Sequence, residues 1–137
     1  MKKIIVLILL SVSLISCSDS DVDMDKRLYG TWVPKDLSTG GLIYKFNKDN
    51  TGAVYYIRQV TETGEFVCDE CLTVKITNLS LEEVNNLHQL SMHLEEGGAF
   101  NNFYDLLTDT ELRFMNNGQH CEKDDNAVIV EKKLSCE

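Results

Sequence analysis

Residues 42–58, which read LIYKFNKDNTGAVYYIR, carry the clearest fold signal in the chain. Apolar side chains occupy alternate positions along residues 42–46, and residues 53–58 are rich in the β-branched and aromatic types that strands favour. Between them, residues 47–52 form a cluster of Asn, Lys, Asp, Thr and Gly that is typical of a turn. The stretch therefore predicts a β-hairpin.

The same signals recur along the rest of the chain. Further strands are predicted at residues 72–77, 90–95, 103–107 and 112–115, with turns at 108–111 and 116–118, and a last strand opens at 128–130 and runs toward Leu134. Strands at this regular spacing predict an antiparallel up-and-down sheet. Closing the sheet into a small barrel would hide its edges, so we predict an all-β, mainly antiparallel up-and-down barrel.

One short helix is predicted within this β pattern. Ser80 and Glu83 have the spacing of a capping box, and apolar residues follow at helical intervals. The helix is expected near residues 81–88, directly before the strand at 90–95.

The N-terminus has the form of an export signal. Lys2 and Lys3 are followed by residues 4–15, which are apolar apart from two serines. This run is too short for a membrane-spanning helix, which needs about 20 apolar residues. We therefore predict that residues 1–16 are a signal peptide.

Residues 14–17, Leu-Ile-Ser-Cys, resemble the lipobox of bacterial lipoproteins. The resemblance implies that cleavage precedes Cys17 and that this residue carries an acyl (palmitate) anchor. The alternative is a signal peptide without lipidation, followed by an incidental cysteine.

Residues 17–26 are acidic and contain little to bury, which predicts a solvated tether. Residues 27–137 then form a single β domain. The acidic stretch also resembles the surface-export signal of lipoproteins from Bacteroidota. This resemblance implies a lipid-anchored protein of the cell envelope that lies at the outer membrane. It does not decide whether the protein is exposed at the cell surface.

The charge of the chain limits its partners. It has 22 acidic and 13 basic residues, a formal net charge of −9 at pH 7, and loss of Lys2 and Lys3 makes the mature part more acidic. Nucleic acid is excluded as a partner, since phosphate binding needs a basic surface. The lipid, rather than the protein surface, is expected to hold the chain to the membrane.

Four cysteines follow the lipobox: Cys68, Cys71, Cys121 and Cys136. An even number in a small exported domain predicts two disulfides, and the sequence leaves all three connectivities open. A zinc site remains an alternative, although only the Cys68–Cys71 spacing suits one. Redox chemistry is less favoured because Asp69 and Glu70 would raise the thiol pKa.

Residues 28–32, Leu-Tyr-Gly-Thr-Trp, contain a Gly-x-Trp element that resembles the opening motif of lipocalins. That resemblance implies that Trp32 plugs one end of a barrel and that Gly30 lets the chain turn beneath it, just before the first strand. Residues 46–52 and 104–114 resemble two hairpins of lipocalin-like lipoproteins from Bacteroidota. The likeness covers about residues 27–134.

The chain also departs from the lipocalin pattern. Lipocalins carry an arginine on the last strand that packs on the tryptophan, and the predicted last strand here offers only Lys132 or Lys133. The cysteine positions fit no lipocalin disulfide pattern, and residues 78–103 are longer than a hairpin needs.

No motif points to catalysis. His88 and His93 lack the spacing of a helical zinc pair, and on a strand they would face opposite sides; His120 is expected at the surface beside a turn. No nucleophile elbow, P-loop or dinucleotide-binding motif occurs. We expect no enzyme activity, no cofactor and no bound metal.

Two functions are compatible with this pattern. The first is binding of a small apolar or amphipathic ligand in the barrel. The candidate pocket residues are Tyr44, Phe46, Tyr55, Phe103 and Phe114. Tyr55 and Tyr56 cannot both face inward, because successive strand residues alternate. The alternative is a protein-interaction module of the envelope, an inhibitor or assembly factor, with a filled barrel and no ligand.

Overall fold

The computed structural model describes residues 25–37, 41–79 and 88–131. Within those residues the chain has nine strands and one short 3₁₀ helix, Lys26–Leu28. The strands are β1 (Gly30–Pro34), β2 (Gly41–Phe46), β3 (Thr51–Val60), β4 (Phe66–Leu79), β5 (His88–Leu94), β6 (Ala99–Thr108), β7 (Glu111–Phe114), β8 (His120–Lys123) and β9 (Ile129–Glu131). The predicted all-β class is confirmed.

Strands β1 to β8 form a closed antiparallel barrel. Each strand pairs with the next one along the chain, and β8 pairs with β1, so the sheet closes on itself. This is the up-and-down barrel that the strand spacing predicted. Because successive strands run in opposite directions, residues 47–50 and 109–110 lie at one end of the barrel. Residues 95–98 and 115–119 lie at the other end.

The strand that closes the barrel was not among the strands predicted from the sequence. The predicted last strand at 128–134 corresponds to β9, which pairs in parallel with Phe66–Cys68 at the start of β4, outside the eight-strand circuit. The barrel closes instead through β8, which carries one buried residue, Cys121. With only four residues and three of them polar or charged, β8 has no visible alternation.

The hairpin at residues 42–58 forms as predicted, by β2 and β3. In its turn, the Asn47 amide donates to the Thr51 carbonyl at 2.8 Å, and Asn50 adopts a φ of 62°, which asparagine tolerates well. A side chain on Gly52 would place its Cβ 2.6 Å from the Lys45 carbonyl oxygen. Glycine is therefore required where β3 leaves the turn.

Two apolar clusters lie on opposite faces of the sheet. Tyr44 belongs to the cluster inside the barrel and its neighbour Ile43 to the one outside. The inner cluster consists of Leu28, Trp32, Tyr44, Phe46, Val54, Val74, Ile76, Leu90, Met92, Tyr104, Leu112, Phe114 and Cys121. The outer cluster is covered by Leu37 and by two residues near the C-terminal strand, Ala127 and Ile129. Burial on both faces explains why apolar residues do not alternate strictly with polar ones along β2 and β3.

Several sequence expectations fall outside the described residues. These are the signal peptide at 1–16, lipidation of Cys17, the tether as far as residue 24, and the predicted helix across 81–87. His88, the last residue of that helix prediction, begins β5. Gly30 and Trp32, expected just before the first strand, lie within β1.

No helix in the described part of the chain is long and apolar enough to cross a membrane.

Candidate functional site

One end of the barrel is plugged by Trp32 and the 3₁₀ helix, and we call it the closed end. Trp32 is fully buried, and its indole Nε1 donates to the Leu28 carbonyl at 2.7 Å. Leu28 is buried beside it. The carboxylate of Asp25 accepts from the Arg27 amide at 3.1 Å and caps the helix. This end therefore offers no entry to the barrel.

Lys123 on β8 provides the cation that packs on the tryptophan. Its Cα pairs with that of Trp32 across β1 and β8, and its ammonium lies 5.0 Å from the ring centroid. The sequence had pointed to Lys132 or Lys133, which lie outside the described residues. Because the barrel closes through β8, the cation comes from that strand.

Gly30, at the same end, has no room for a side chain. Its φ is 128°, and an added Cβ would lie 2.6 Å from Oδ1 of Asp125. That same oxygen accepts the Thr31 amide at 2.8 Å. Gly30 thus lets the chain pass close to the loop that follows β8.

The middle of the barrel is filled by aromatic side chains. The rings of Tyr44 and Phe114 lie 4.3 Å apart, and those of Tyr44 and Phe46 lie 6.0 Å apart. Tyr104 is fully buried nearby on β6. These buried side chains occupy the middle of the barrel, so we expect a ligand to enter from the opposite end.

At that opposite end a pocket of about 190 Å³ opens into the barrel; we call it the mouth pocket. Its lining consists of Leu42, Tyr44, Val54, Tyr56, Leu72, Met92, Phe100, Asn102, Asn116 and Asn117. Aliphatic and aromatic side chains form most of it, with three asparagines at the rim. None of these described lining residues is charged.

A larger depression of about 650 Å³ lies beside the mouth pocket; we call it the rim groove. The two share Leu42, Tyr56 and Asn117. The rest of the groove is lined by Lys35, Asp36, Gly41, Ile57, Gly118, Gln119 and His120. An apolar pocket is thus continuous with a polar and charged groove.

The loop at residues 115–119 forms part of the mouth wall and is held on both sides by side-chain amides. Gln119 Nε2 donates to the Leu42 carbonyl at 2.7 Å, and the Leu42 amide donates to Gln119 Oε1 at 3.3 Å. On the other side, the Phe103 amide donates to Asn116 Oδ1 at 3.0 Å, and Asn116 Nδ2 donates to the Asn101 carbonyl at 2.9 Å. These bonds fix the loop against β2 and β6.

Tyr44 provides a neutral hydroxyl to the mouth pocket, beside Asn102 and Asn117. Burial raises the pKa of Tyr44 above its ordinary value, while hydrogen bonding with the side chains of Asn117 and Asn102 acts in the opposite direction. The hydroxyl therefore stays protonated at neutral pH and can both donate and accept.

Of the five predicted pocket residues, the structure places only Tyr44 in the mouth pocket. Phe46 and Phe114 are buried in the filled core. Tyr55 belongs to the outer cluster, and Phe103 is 40% exposed on the outside of β6. The predictions for Tyr55 and Phe103 are wrong because their neighbours Tyr56 and Tyr104 take the inward positions.

The remaining pocket residues were not predicted from the sequence. Asn116 and Asn117 were recognised only as part of a turn. Leu72 and Met92 were recognised as apolar positions of strands, without a place in the pocket. The alternation of apolar and polar residues along β4 and β5 could have identified these two as inward-facing. It could not have shown how far along the barrel axis they lie.

The free cysteines lie on opposite sides of the sheet. Cys68 belongs to the outer cluster and Cys121 to the inner one, and both are buried free thiols. Burial raises the pKa of each to about 11. The predictions that Cys68 and Cys121 form disulfides are therefore wrong, and one zinc ion could not bind both across the sheet.

Cys71 lies on the same side of the sheet as Cys68 because of a bulge in β4. Asp69 on β4 and Arg58 on β3 are both left out of the strand pairing, and their side chains form an ion pair at 3.4 Å. Asp69 and Glu70, between the two cysteines, are thus part of a strand. Cys71 is disulfide-bonded, and its partner lies outside the described residues, as Cys136 does.

The histidines occupy separate places. His88 stacks on Tyr104, with ring centroids 5.2 Å apart, whereas His93 is exposed and pairs with the Thr77 hydroxyl at 3.0 Å. The predicted opposite orientation of these two is confirmed, and His120 is exposed as expected. Among the described residues, no group of three His, Cys, Asp or Glu side chains could hold a metal ion.

No protein-family model, no curated protein and no solved structure matches this chain.

Proposed function

We propose that this chain is a lipid-anchored, lipocalin-like protein that binds a small apolar or amphipathic molecule at the mouth of its barrel. The observation that carries the proposal is the mouth pocket, an apolar concavity with a few polar groups at its rim. Binding sites for small molecules commonly have this composition.

The dimensions of the pocket indicate what would enter it. A cavity of about 150 Å³ can hold a benzene ring, and the mouth pocket measures about 190 Å³. It therefore suits one substituted ring or a short branched chain. A larger ligand would place this apolar end in the pocket and its polar remainder in the rim groove.

The proposed anchor is supported by the leader sequence alone. Cys17 follows a charged, apolar leader and precedes an acidic tether. We expect Cys17→Ala to move the protein from the membrane fraction to the soluble fraction. A variant that stays in the membrane fraction would indicate an uncleaved leader as the anchor instead.

Ligand binding can be tested by NMR on the mature chain, residues 17–137. The Cys17→Ser substitution would remove the site of lipidation and keep the protein soluble. Expression in an oxidising compartment would allow its disulfide to form. With ¹³C-labelled methionine and isoleucine methyl groups, Met92 reports on the pocket, while Ile129, which packs against the outer cluster, serves as an internal control. Toluene and octyl glucoside, below its micellar concentration, are suitable first probes.

We expect at least one probe to shift the Met92 methyl signal and leave the Ile129 signal unchanged. Leu72→Trp should abolish the shift by filling the pocket, and Leu107→Trp, the same change at an exposed position of β6, should retain it. Failure of both probes to shift Met92 would contradict the proposal. Native mass spectrometry of protein from its own host would reveal a natural ligand directly.

A second candidate function is binding to another envelope protein. Phe103 on β6 and Met115, directly after β7, are 40% and 43% exposed, and the Met115 amide donates to the Phe103 carbonyl at 2.8 Å. Exposed apolar neighbours of this kind are frequent at interfaces. Crosslinking in the native host would test this function. It is favoured if the unaltered protein captures a partner that the double variant Phe103→Ser, Met115→Ser does not capture.

A further inference from the structure

We infer that the mouth pocket selects an uncharged ligand whose ring-sized apolar end carries a hydroxyl or carbonyl group. This inference rests on the proposed ligand binding and specifies the class of ligand. Two observations support it. One is the set of polar groups around the pocket that still have hydrogen-bonding capacity, and the other is the position of the charged residues.

The base of the pocket provides the apolar contact. The ring of Tyr44 is backed by Phe114 at a centroid distance of 4.3 Å, and Val54 and Met92 also line the pocket. The buried aromatic core beneath them prevents a long chain from passing deeper. The apolar part of the ligand that fits here is therefore short and wide rather than extended.

The three rim asparagines are not equivalent. Asn116 uses its amide oxygen and nitrogen on the backbone of β6, as described above. Asn117 accepts the Gln119 amide at 3.0 Å through Oδ1, but its Nδ2 lies 3.5 Å from Gln119 Oε1, which is a long contact. The Asn117 NH₂ group also bonds the Tyr44 hydroxyl, so the capacity that Asn117 keeps for a ligand is the second lone pair of Oδ1.

Asn102 is the second group with capacity to bind a ligand. Its side chain interacts with the Tyr44 hydroxyl, and a side-chain amide offers two donors and two acceptor lone pairs. Tyr44, Asn102 and Asn117 thus bring both donors and acceptors to the edge of one apolar pocket. A hydroxyl can pair with both kinds of group, and a carbonyl can accept from the amides.

The charge distribution disfavours an ionised group at this position. The described residues that line the mouth pocket are uncharged. The neighbouring groove carries both signs of charge, with Lys35, which forms an ion pair with Glu111, and Asp36. A carboxylate or ammonium would lose hydration in the pocket without gaining an opposite charge. A neutral polar group avoids that cost.

Three probes of the same shape test this inference: toluene, 4-methylphenol and 4-methylbenzoate. Binding would be followed through the Met92 methyl signal of the soluble mature chain, with the Ile129 methyl signal as the control. We expect 4-methylphenol to bind most tightly, although toluene is the more apolar molecule, and 4-methylbenzoate to bind most weakly.

Asn102→Leu keeps a side chain of similar shape and removes the amide. We expect it to weaken 4-methylphenol binding by about tenfold, as loss of a hydrogen bond implies, and to leave toluene binding unchanged or stronger. Asn126→Ala, in the exposed loop after β8, is the control and should bind all three probes as the unaltered protein does.

The outcomes distinguish failure of the ligand class from failure of ligand binding. Toluene binding as tightly as 4-methylphenol, or 4-methylbenzoate binding best, would overturn the inference and leave ligand binding intact. Failure of all three probes to move Met92 would contradict the proposed function itself. The comparison among probes on the unaltered protein is decisive even if Asn102→Leu does not fold.

Discussion

The ammonium of Lys123 lies over the ring of Trp32, 5.0 Å from its centroid, and also donates to the Arg27 carbonyl at 3.0 Å. One side chain thus joins β8, β1 and the 3₁₀ helix at the closed end of the barrel. The contact forms because β8 is the strand that completes the circuit beside β1.

We predict that Lys123→Met destabilises the folded protein by about 1–2 kcal/mol, through loss of the cation–π contact and the hydrogen bond. Lys123→Arg should recover most of the loss. Urea unfolding, followed by the fluorescence of the single tryptophan, measures the effect. Lys75→Met, at an exposed position of β4, is the matched control, and an equal loss there would contradict a specific role for Lys123.

A second prediction concerns Gln119, which bonds both backbone groups of Leu42. Gln119→Ala should speed hydrogen exchange at the Leu42 amide, because that amide loses its acceptor. The Phe103 amide, held by Asn116, should keep its protection. The stability loss should be about 1–2 kcal/mol for two hydrogen bonds. Unchanged exchange at Leu42 would show that the bridge does not hold the mouth.

The buried thiols predict a loss of stability at alkaline pH. Burial raises the pKa of Cys121 to about 11 from its ordinary value of 9.0, so the folded state retains a proton that the unfolded state releases. The resulting stability is complete below pH 9 and is lost as pH rises through about 11. On this basis Cys121 should contribute on the order of 2 kcal/mol to the decline.

Cys121→Val, which removes the titrating group at similar size, should flatten this decline between pH 9 and 11. Urea midpoints at pH 8, 10 and 11 would measure it. Burial also raises the pKa of Tyr44 in the folded state. Because Tyr44 is present in both the unaltered protein and Cys121→Val, the difference between their pH profiles reports on Cys121 alone. Identical pH profiles would contradict this assignment.

A fourth prediction gives the disulfide partner of Cys71. Cys68 and Cys121 are free, and the proposed lipid on Cys17 would occupy that sulfur, which leaves Cys136. Glu131 pairs with Cys68 at the start of β4. The five residues from Glu131 to Cys136 can span about 17 Å, and Cys71 lies roughly 10 Å from Cys68 along β4. The chain after Glu131 is therefore long enough for Cys136 to reach Cys71.

Non-reducing peptide mapping should therefore recover a peptide that joins Cys71 to Cys136. Alkylation without reduction should label Cys68 and Cys121, and only after unfolding, since both are buried. A link from Cys71 to Cys17 would contradict this pairing and the proposed lipidation together.

The strands with clear local signals were predicted from the sequence, and the pocket was not. The alternation at Leu72, Val74 and Ile76 identified β4 because these positions face the interior of the barrel. On β6, Phe103 and Tyr104 are both aromatic, and composition cannot decide which one faces inward. Register and closure decide it, and they place Tyr104 inside.

The sequence by itself determined the strands and turns of the main hairpins and the all-β class, because period-two alternation and turn chemistry are local properties of the chain. Only the tertiary structure decided that β8 closes the barrel, that Lys123 covers Trp32 and that Asn102 and Asn117 meet Tyr44 at the mouth. These contacts join residues far apart in sequence. Their pairing depends on strand register and on the bulge at Asp69, which no local pattern specifies.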